Sequence, residues 1–222
     1  MSTQLLTRAP HRPRPGVRLL DGPELAPARL HEACGPARRT LALMLARALE
    51  GPVFWIRPAW ADARLNPEGV RALVDPARLV TAAPTRPEDI LWSMEEALRA
   101  GCAPLVVAEL PGLPGLTPVR RLHLAAETGA AEGRIAPLGL ILTAGDGGAP
   151  GVESRWHLAP RHAEGLTRWR LERRRARAAP PTAWTVERRG RRLALRPAGP
   201  EAAEPPAAPA RPGPGHDPGD RG

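Results

Sequence analysis

The sequence predicts an α/β fold: a mainly parallel sheet with flanking helices and an antiparallel extension on its C-terminal side. Three observations predict it. Between residues 29 and 142, short apolar runs alternate with longer segments of helical periodicity, and parallel strands need crossovers of that length. Beyond residue 151, apolar residues recur at every second position, the habit of strands with one buried face. The 222 residues are 42% hydrophobic, enough to bury the core of one domain of ordinary size. Composition divides the chain into a Pro/Arg-rich N-terminal arm at 1–28, the α/β domain at 29–196, and a Pro/Ala/Gly-rich tail at 197–222. That tail is predicted disordered because its composition cannot supply a core.

The elements follow in order. Leu30–Cys34 reads as a strand, and 37–50 as a helix whose Leu41, Leu43, Met44, Leu45 and Leu49 are apolar on several sides, so it is largely buried. Gly51-Pro52 stops it, and Val53–Ile56 reads as a buried strand. Asn66-Pro67-Glu68 places an N-cap side chain before a proline at the first helical position, with Val70 and Leu73 facing inward. Arg78-Leu79-Val80 is a short strand. Thr85-Arg86-Pro87-Glu88 has the form of a capping box, opening a helix through Ile90, Leu91, Met94 and Leu98 that Gly101 ends. Residues 104–110 form the clearest central strand. Thr117-Pro118 caps a helix through Val119, Leu122 and Ala126, and Leu138–Leu142 is one more buried strand. The later runs 154–158, 167–171 and 183–187, with Leu193 and Leu195, are expected to extend the sheet in antiparallel fashion.

Charge is unevenly spread. The formal net charge is +9 with no lysine in the chain, and residues 161–196 hold twelve arginines against Glu164, Glu172 and Glu187. That stretch alone equals the whole excess. A confined basic surface points to an anionic partner, nucleic acid first, with Arg168, Arg170, Arg173, Arg174, Arg175 and Arg177 as the candidate contacts. A solvated arginine-rich face is the other reading. Trp156, Trp169 and Trp184 recur among these arginines, where packing beneath arginine stems comes before stacking on bases. Trp55 and Trp92 fall in core-like patterns.

Several function classes are excluded by what is missing. Cys34 and Cys102 form no metal-binding spacing and read as small buried residues in a reducing compartment, so no metal is expected. The chain shows no run long and apolar enough for a signal peptide or a membrane span, which predicts a cytoplasmic protein with no membrane partner. Ser2, Ser93 and Ser154 are the only serines and none lies in a nucleophile motif. His123 and His157 stand singly on regular elements, and Glu95-Glu96 share no helix face and read as solvated.

The most informative stretch is Cys34-Gly35-Pro36-Ala37-Arg38-Arg39-Thr40-Leu41. A phosphate-binding loop needs an apolar strand, then G-x-x-x-x-G-K-[ST], then a helix whose free N–H groups and lysine hold the phosphates. Strand and helix are present here, but the loop is too short and lacks both the second glycine and the lysine.

The order of these elements, with Gly35-Pro36 before Arg39-Thr40-Leu41-Ala42-Leu43, the 53–67 segment, Leu105–Glu109 and the late runs 168–171 and 183–187, resembles the RecA-like ImuA family over residues 29–196. The resemblance implies a RecA-like, P-loop NTPase-type fold with a degenerate nucleotide site. Carried across, the phosphate lysine falls on Arg39 or Arg38 and the magnesium hydroxyl on Thr40, so Gly35, Arg38, Arg39 and Thr40 are a vestigial nucleotide site. The catalytic glutamate position is Ala59 or a neighbour within 56–60. The magnesium-associated aspartate falls on Ala108, with Glu109 next to it expected to point to the opposite face. The strand ending at Ala144 lacks the γ-phosphate-sensing glutamine. With these roles missing together, phosphoryl transfer is not expected, nor any cofactor.

The resemblance further implies a non-catalytic accessory protein of SOS-induced translesion synthesis. Its partners would be RecA, an ImuB-like protein with an error-prone replicative-type polymerase, and single-stranded DNA. Two other classes remain: a weakly active DNA-dependent ATPase using Arg39 and Glu109, and a cell-division inhibitor of the SulA type.

Overall fold

The computed structural model describes residues 15–199. A two-stranded antiparallel hairpin, β1 (Val17–Arg18) and β2 (Glu24–Leu25), opens the chain. It turns Leu19 and Leu25 into the main core, so this part of the N-terminal arm is packed. Then follow β3 (Leu30–Cys34), α1 (Arg38–Arg47), β4 (Val53–Ile56), α2 (Pro67–Arg71), β5 (Leu79–Ala82), α3 (Pro87–Arg99), β6 (Leu105–Glu109), α4 (Leu116–Glu132) and β7 (Leu138–Leu142). The last elements are β8 (Ser154–Pro160), β9 (Thr167–Ala176), β10 (Thr182–Arg189) and β11 (Arg192–Pro197). Of the tail at 197–222, all but residues 197–199 lies outside the described residues.

The nine strands β3 to β11 form one sheet in the order β11-β10-β9-β8-β3-β7-β6-β4-β5. Strands β8, β3, β7, β6, β4 and β5 run parallel, and β9, β10 and β11 continue antiparallel from β8. The antiparallel extension therefore begins one strand later than its alternation suggests: β8 lies parallel to β3, with Ala33 opposite Trp156. Alternation reports one covered face and says nothing of direction.

Two apolar layers cover the sheet. On one face α1, the segment around Val70, Leu73 and Val74, and the N-terminal hairpin pack on Trp55, Val107, Leu140, Trp156, Leu171 and Val186. On the other, α3 and α4 pack on Leu30, Ile56, Val106, Ala108 and Ile141. The helices α3 and α4 lie over β3, β4, β6 and β7. The chain leaves β3 toward β4 by way of α1 and returns through β6 and β7, then crosses β3 to reach β8. The direction of winding reverses beside β3, and the C-terminal ends of β3 and β7 flank that switch point.

Several local expectations are corrected. Helix α1 begins at Arg38 and ends at Arg47, inside the predicted 37–50. Thr85 caps nothing: Pro87 takes the first helical position, which makes Arg86 the N-cap, and Arg86 instead grips Asp89 through two hydrogen bonds of 3.0 Å. Helix α4 starts from Gly115, leaving Thr117 inside its first turn. Trp92 is 60% exposed, on the outer side of α3, and Cys102 is exposed rather than buried. Glu95 is buried and held at 2.7 Å by both Arg99 and Arg121, so it is not a solvated carboxylate. No helix among the described residues is long and apolar enough to cross a membrane.

Candidate functional site

In open parallel sheets, ligands sit outside the carboxyl ends of the strands at the switch point. Here that place is occupied by the chain itself. After β3 the backbone turns at Gly35 with φ +86, a conformation that favours glycine, and a Cβ there would lie 2.6 Å from His157 Nε2. The Gly35 N–H donates to Gly145 O at 2.8 Å, Ala37 N–H to Leu158 O at 3.0 Å, and Arg38 N–H to Gly35 O at 3.3 Å. These are N–H groups that a phosphate loop would turn on its ligand. All three are spent, on the β7–β8 loop, on strand β8 and within the turn itself.

The side chains follow the same logic. Arg38 curls back, donating from Nη1 to Gly35 O at 3.3 Å. Thr40 lies half-buried on the first turn of α1. Arg39 crosses to the end of β6, where its Nε donates to both carboxylate oxygens of Glu109 at 3.1 and 3.0 Å, and its Nη2 donates to Ala63 O at 3.0 Å. Buried Trp55 donates its indole N–H to Glu109 Oε1 at 2.7 Å. Glu109 therefore faces α1, and Ala108 faces the α3–α4 layer. Ala108 and Glu109 do face opposite sides of the sheet, but Glu109 is the one on the side of the loop, contrary to expectation. A carboxylate of this chain thus holds Arg39, one of the two arginines that the resemblance would put in place of a phosphate-binding lysine.

A second buried carboxylate shapes the rim. Glu32, with no exposed surface, lies in the middle of β3 and faces the loop from Thr143 to Gly151. It accepts from Thr143 Oγ1 at 2.7 Å, Gly148 N at 2.9 Å and Ala149 N at 3.2 Å, and pairs with Arg155. This pins the β7–β8 loop against the β3–α1 turn. Beside it Cys34 is buried, its Sγ 3.4 Å from Trp156 O, and burial reinforced by the Glu32 charge pushes its thiol up to about 11. Residues 57–61, directly after β4, contain no acid. Arg57 folds onto Pro58 O and Ala61 O, both at 3.1 Å, and Trp60 is 47% exposed.

The candidate nucleic-acid arginines divide between the two faces of β9. Arg173 lies on the covered face, its guanidinium 5.7 Å from the Trp156 ring centroid and 5.4 Å from that of Trp184. Trp156 and Trp169 are buried beneath, so these tryptophans are packing residues. Arg168, Arg170 and Arg174 lie on the opposite face. Arg168 donates to Glu187 at 2.9 Å, Arg170 to Glu172 at 2.7 Å, and Arg174 bridges Glu172 at 3.1 Å and Asp146 at 2.7 Å. A bulge between Arg155 and Trp156 breaks the pairing with β9 beside Arg174. Arg175 and Arg177 are exposed at the end of β9. The consecutive basic run is thus not one surface.

Two signals escaped sequence reasoning. Glu32 is a single acid in an apolar strand, and a charge at such a place is stable only with partners that come from residues 143–155. Glu109 was visible, but its pairing with Arg39 spans 70 positions and depends on the strand order. His123 is structural: it accepts from Leu30 N at 3.3 Å and lies 3.1 Å from Gly151 O. No family model matches the chain, and no curated protein matches it.

Proposed function

We propose that this chain is a non-catalytic accessory protein of bacterial DNA-damage tolerance, a RecA-like domain whose nucleotide site has been replaced by internal contacts. The observation that carries the reading is the Arg39–Glu109 pair, anchored by Trp55, at the end of the loop where phosphate would sit. A guanidinium already satisfied by a carboxylate offers an incoming anion little gain, because the buried acid would be left unpaired. The three spent N–H groups of Gly35, Ala37 and Arg38 act in the same direction. Support for the RecA-like part is the strand–loop–helix at the switch point of a mixed α/β sheet. The same pairing argues against an ATPase that uses Arg39 and Glu109 as catalytic groups.

In this reading the protein works by contact, joining RecA and an ImuB-like protein with its error-prone polymerase, and touching DNA through arginines of the late strands. The test is capture of RecA or an ImuB-like protein by the purified chain, with ATP hydrolysis followed in the same samples with and without single-stranded DNA. The expected result is binding with no turnover. DNA-stimulated hydrolysis that disappears in Arg39→Ala would overturn the proposal in favour of an enzyme.

A further inference from the structure

Helices α3 and α4 cover the sheet over β3, β4, β6 and β7, and beyond β8 the same face is open. On β9, β10 and β11 it presents Arg168, Arg170, Arg174, Arg189, Arg192 and Arg196, against Glu172 and Glu187 alone on those strands. The pairing brings these residues into rows. Arg170 lies opposite Thr185, which lies opposite Arg196; Arg168 lies opposite Glu187 and Ala194 in turn; and Arg189 lies opposite Arg192. The two acids are engaged by Arg168, Arg170 and Arg174. Arg189, Arg192 and Arg196 are exposed, and among the described residues none of them takes part in an ion pair.

We infer that this open face is a docking surface for the sugar-phosphate backbone of double-stranded nucleic acid, with Arg189, Arg192 and Arg196 as its principal phosphate contacts. Four residues along β10 separate the Arg196 row from the Arg189–Arg192 row, a distance of about 13 Å at the usual rise per residue. That is close to the major-groove width of about 12 Å, so the two groups can meet phosphates on both sides of one groove. Between them lies the row of Glu187 and Ala194, where the Glu187 charge is held by Arg168 at 2.9 Å and the alanine leaves room for close approach of a rigid rod.

The chemistry of the face selects this partner over others. An acidic protein would need a desolvated apolar centre to bind stably, and the centre here is the Arg168–Glu187 ion pair beside Ala194. A single strand would need an aromatic platform to repay the loss of its flexibility. The tryptophans of these strands instead face the covered side, where Trp156 and Trp169 are buried and Trp184 packs against the core. A duplex brings its phosphates preorganised and at the higher charge density. Nothing on the face presents a fixed base-reading fork, so binding is independent of sequence.

The inference rests on the nucleic-acid part of the proposed function, not on its protein partners. It is tested by fluorescence anisotropy with a labelled 20-base-pair duplex at 50 mM salt, using the full chain. The variant R189A/R192A/R196A is compared with R64A/R71A/R120A, which removes the same charge from exposed positions elsewhere. The expected result is a loss of affinity of about tenfold or more for the first variant, with its salt slope reduced by about three, and near-normal binding for the second. Equal affinity of the two variants would overturn the inference. So would tighter binding of the same-sequence single strand, or displacement of the duplex by polyglutamate at equal charge. If duplex binding holds while capture of RecA and ImuB-like protein fails, the repair reading falls and this surface stands; the reverse result removes only this surface.

Discussion

Glu32 is buried inside β3, and its carboxylate collects a threonine hydroxyl, two loop N–H groups and the Arg155 guanidinium. Its removal leaves each donor without its acceptor in a closed space. Glu32→Ala is therefore expected to cost about 3–5 kcal/mol, the range for breaking a buried ion pair on one side, read as a fall in the urea midpoint. A loss below about 1 kcal/mol would mean that the 143–151 loop holds itself. The neighbouring thiol gives an independent check on the same loop. Cys34 is buried with its thiol pushed up to about 11 by burial, whereas Cys102 is exposed. At pH 8 a thiol reagent should modify Cys102 promptly and Cys34 only in denaturant. Prompt modification of both would show that the loop opens in the native state.

Packing of α3 against α4 depends on glycine at close backbone contacts. A Cβ on Gly129 would lie 2.0 Å from Leu98 O, and Arg134 and Ile135 both donate to Gly101 O across the same seam. Alanine in an exposed helix gains close to 1 kcal/mol over glycine, but here the added carbon meets backbone that must move. Gly129→Ala is expected to destabilise by about 1–3 kcal/mol, whereas Gly112→Ala, with nothing within 4 Å of the new carbon, should be neutral. Equal thermal midpoints for the two variants would remove the seam from the account of stability. The element boundaries nearby show what sequence can carry. The stop at Gly101 was legible because it needs only local chemistry, and its φ is +54. The caps at Thr85 and Thr117 misled because two signals competed over one or two positions, and proline spacing together with the Arg86–Asp89 pair decided the first of them.

At the scale of the whole molecule, alternation and helical periodicity were enough to draw the α/β sheet, because burial on one or two faces leaves its period in the chain. Strand order was not legible, and the site depends on it. Arg39 could be found from the loop, but Glu109 reaches it only because β6 lies two strands from β3. Arg189, Arg192 and Arg196 join Arg168 and Arg170 only through hairpin register. The same topology buries histidines that join distant parts of the core, and this sets an acid limit on stability. His31, 1% exposed in β3, lies 2.9 Å from Ala26 O through Nε2 and 2.7 Å from Ser154 Oγ through Nδ1, while Trp156 donates to that Oγ at 2.6 Å. A neutral ring that donates to the carbonyl and accepts from the hydroxyl satisfies every member of this chain. Burial lowers the His31 pKa to about 4, and burial also lowers those of His123 and His157. The native state then binds fewer protons than the unfolded chain below pH 6.5, so stability is complete above that pH and declines as pH falls toward 4. His31 alone should cost about 2 kcal/mol between pH 7 and pH 5. Urea unfolding at the two pH values should show that loss in the wild type and a smaller one in His31→Asn, which is less stable throughout but lacks this titration. An identical pH slope in both proteins would place the acid sensitivity elsewhere, and a flat profile in the wild type would mean that His31 is not buried in its neutral form.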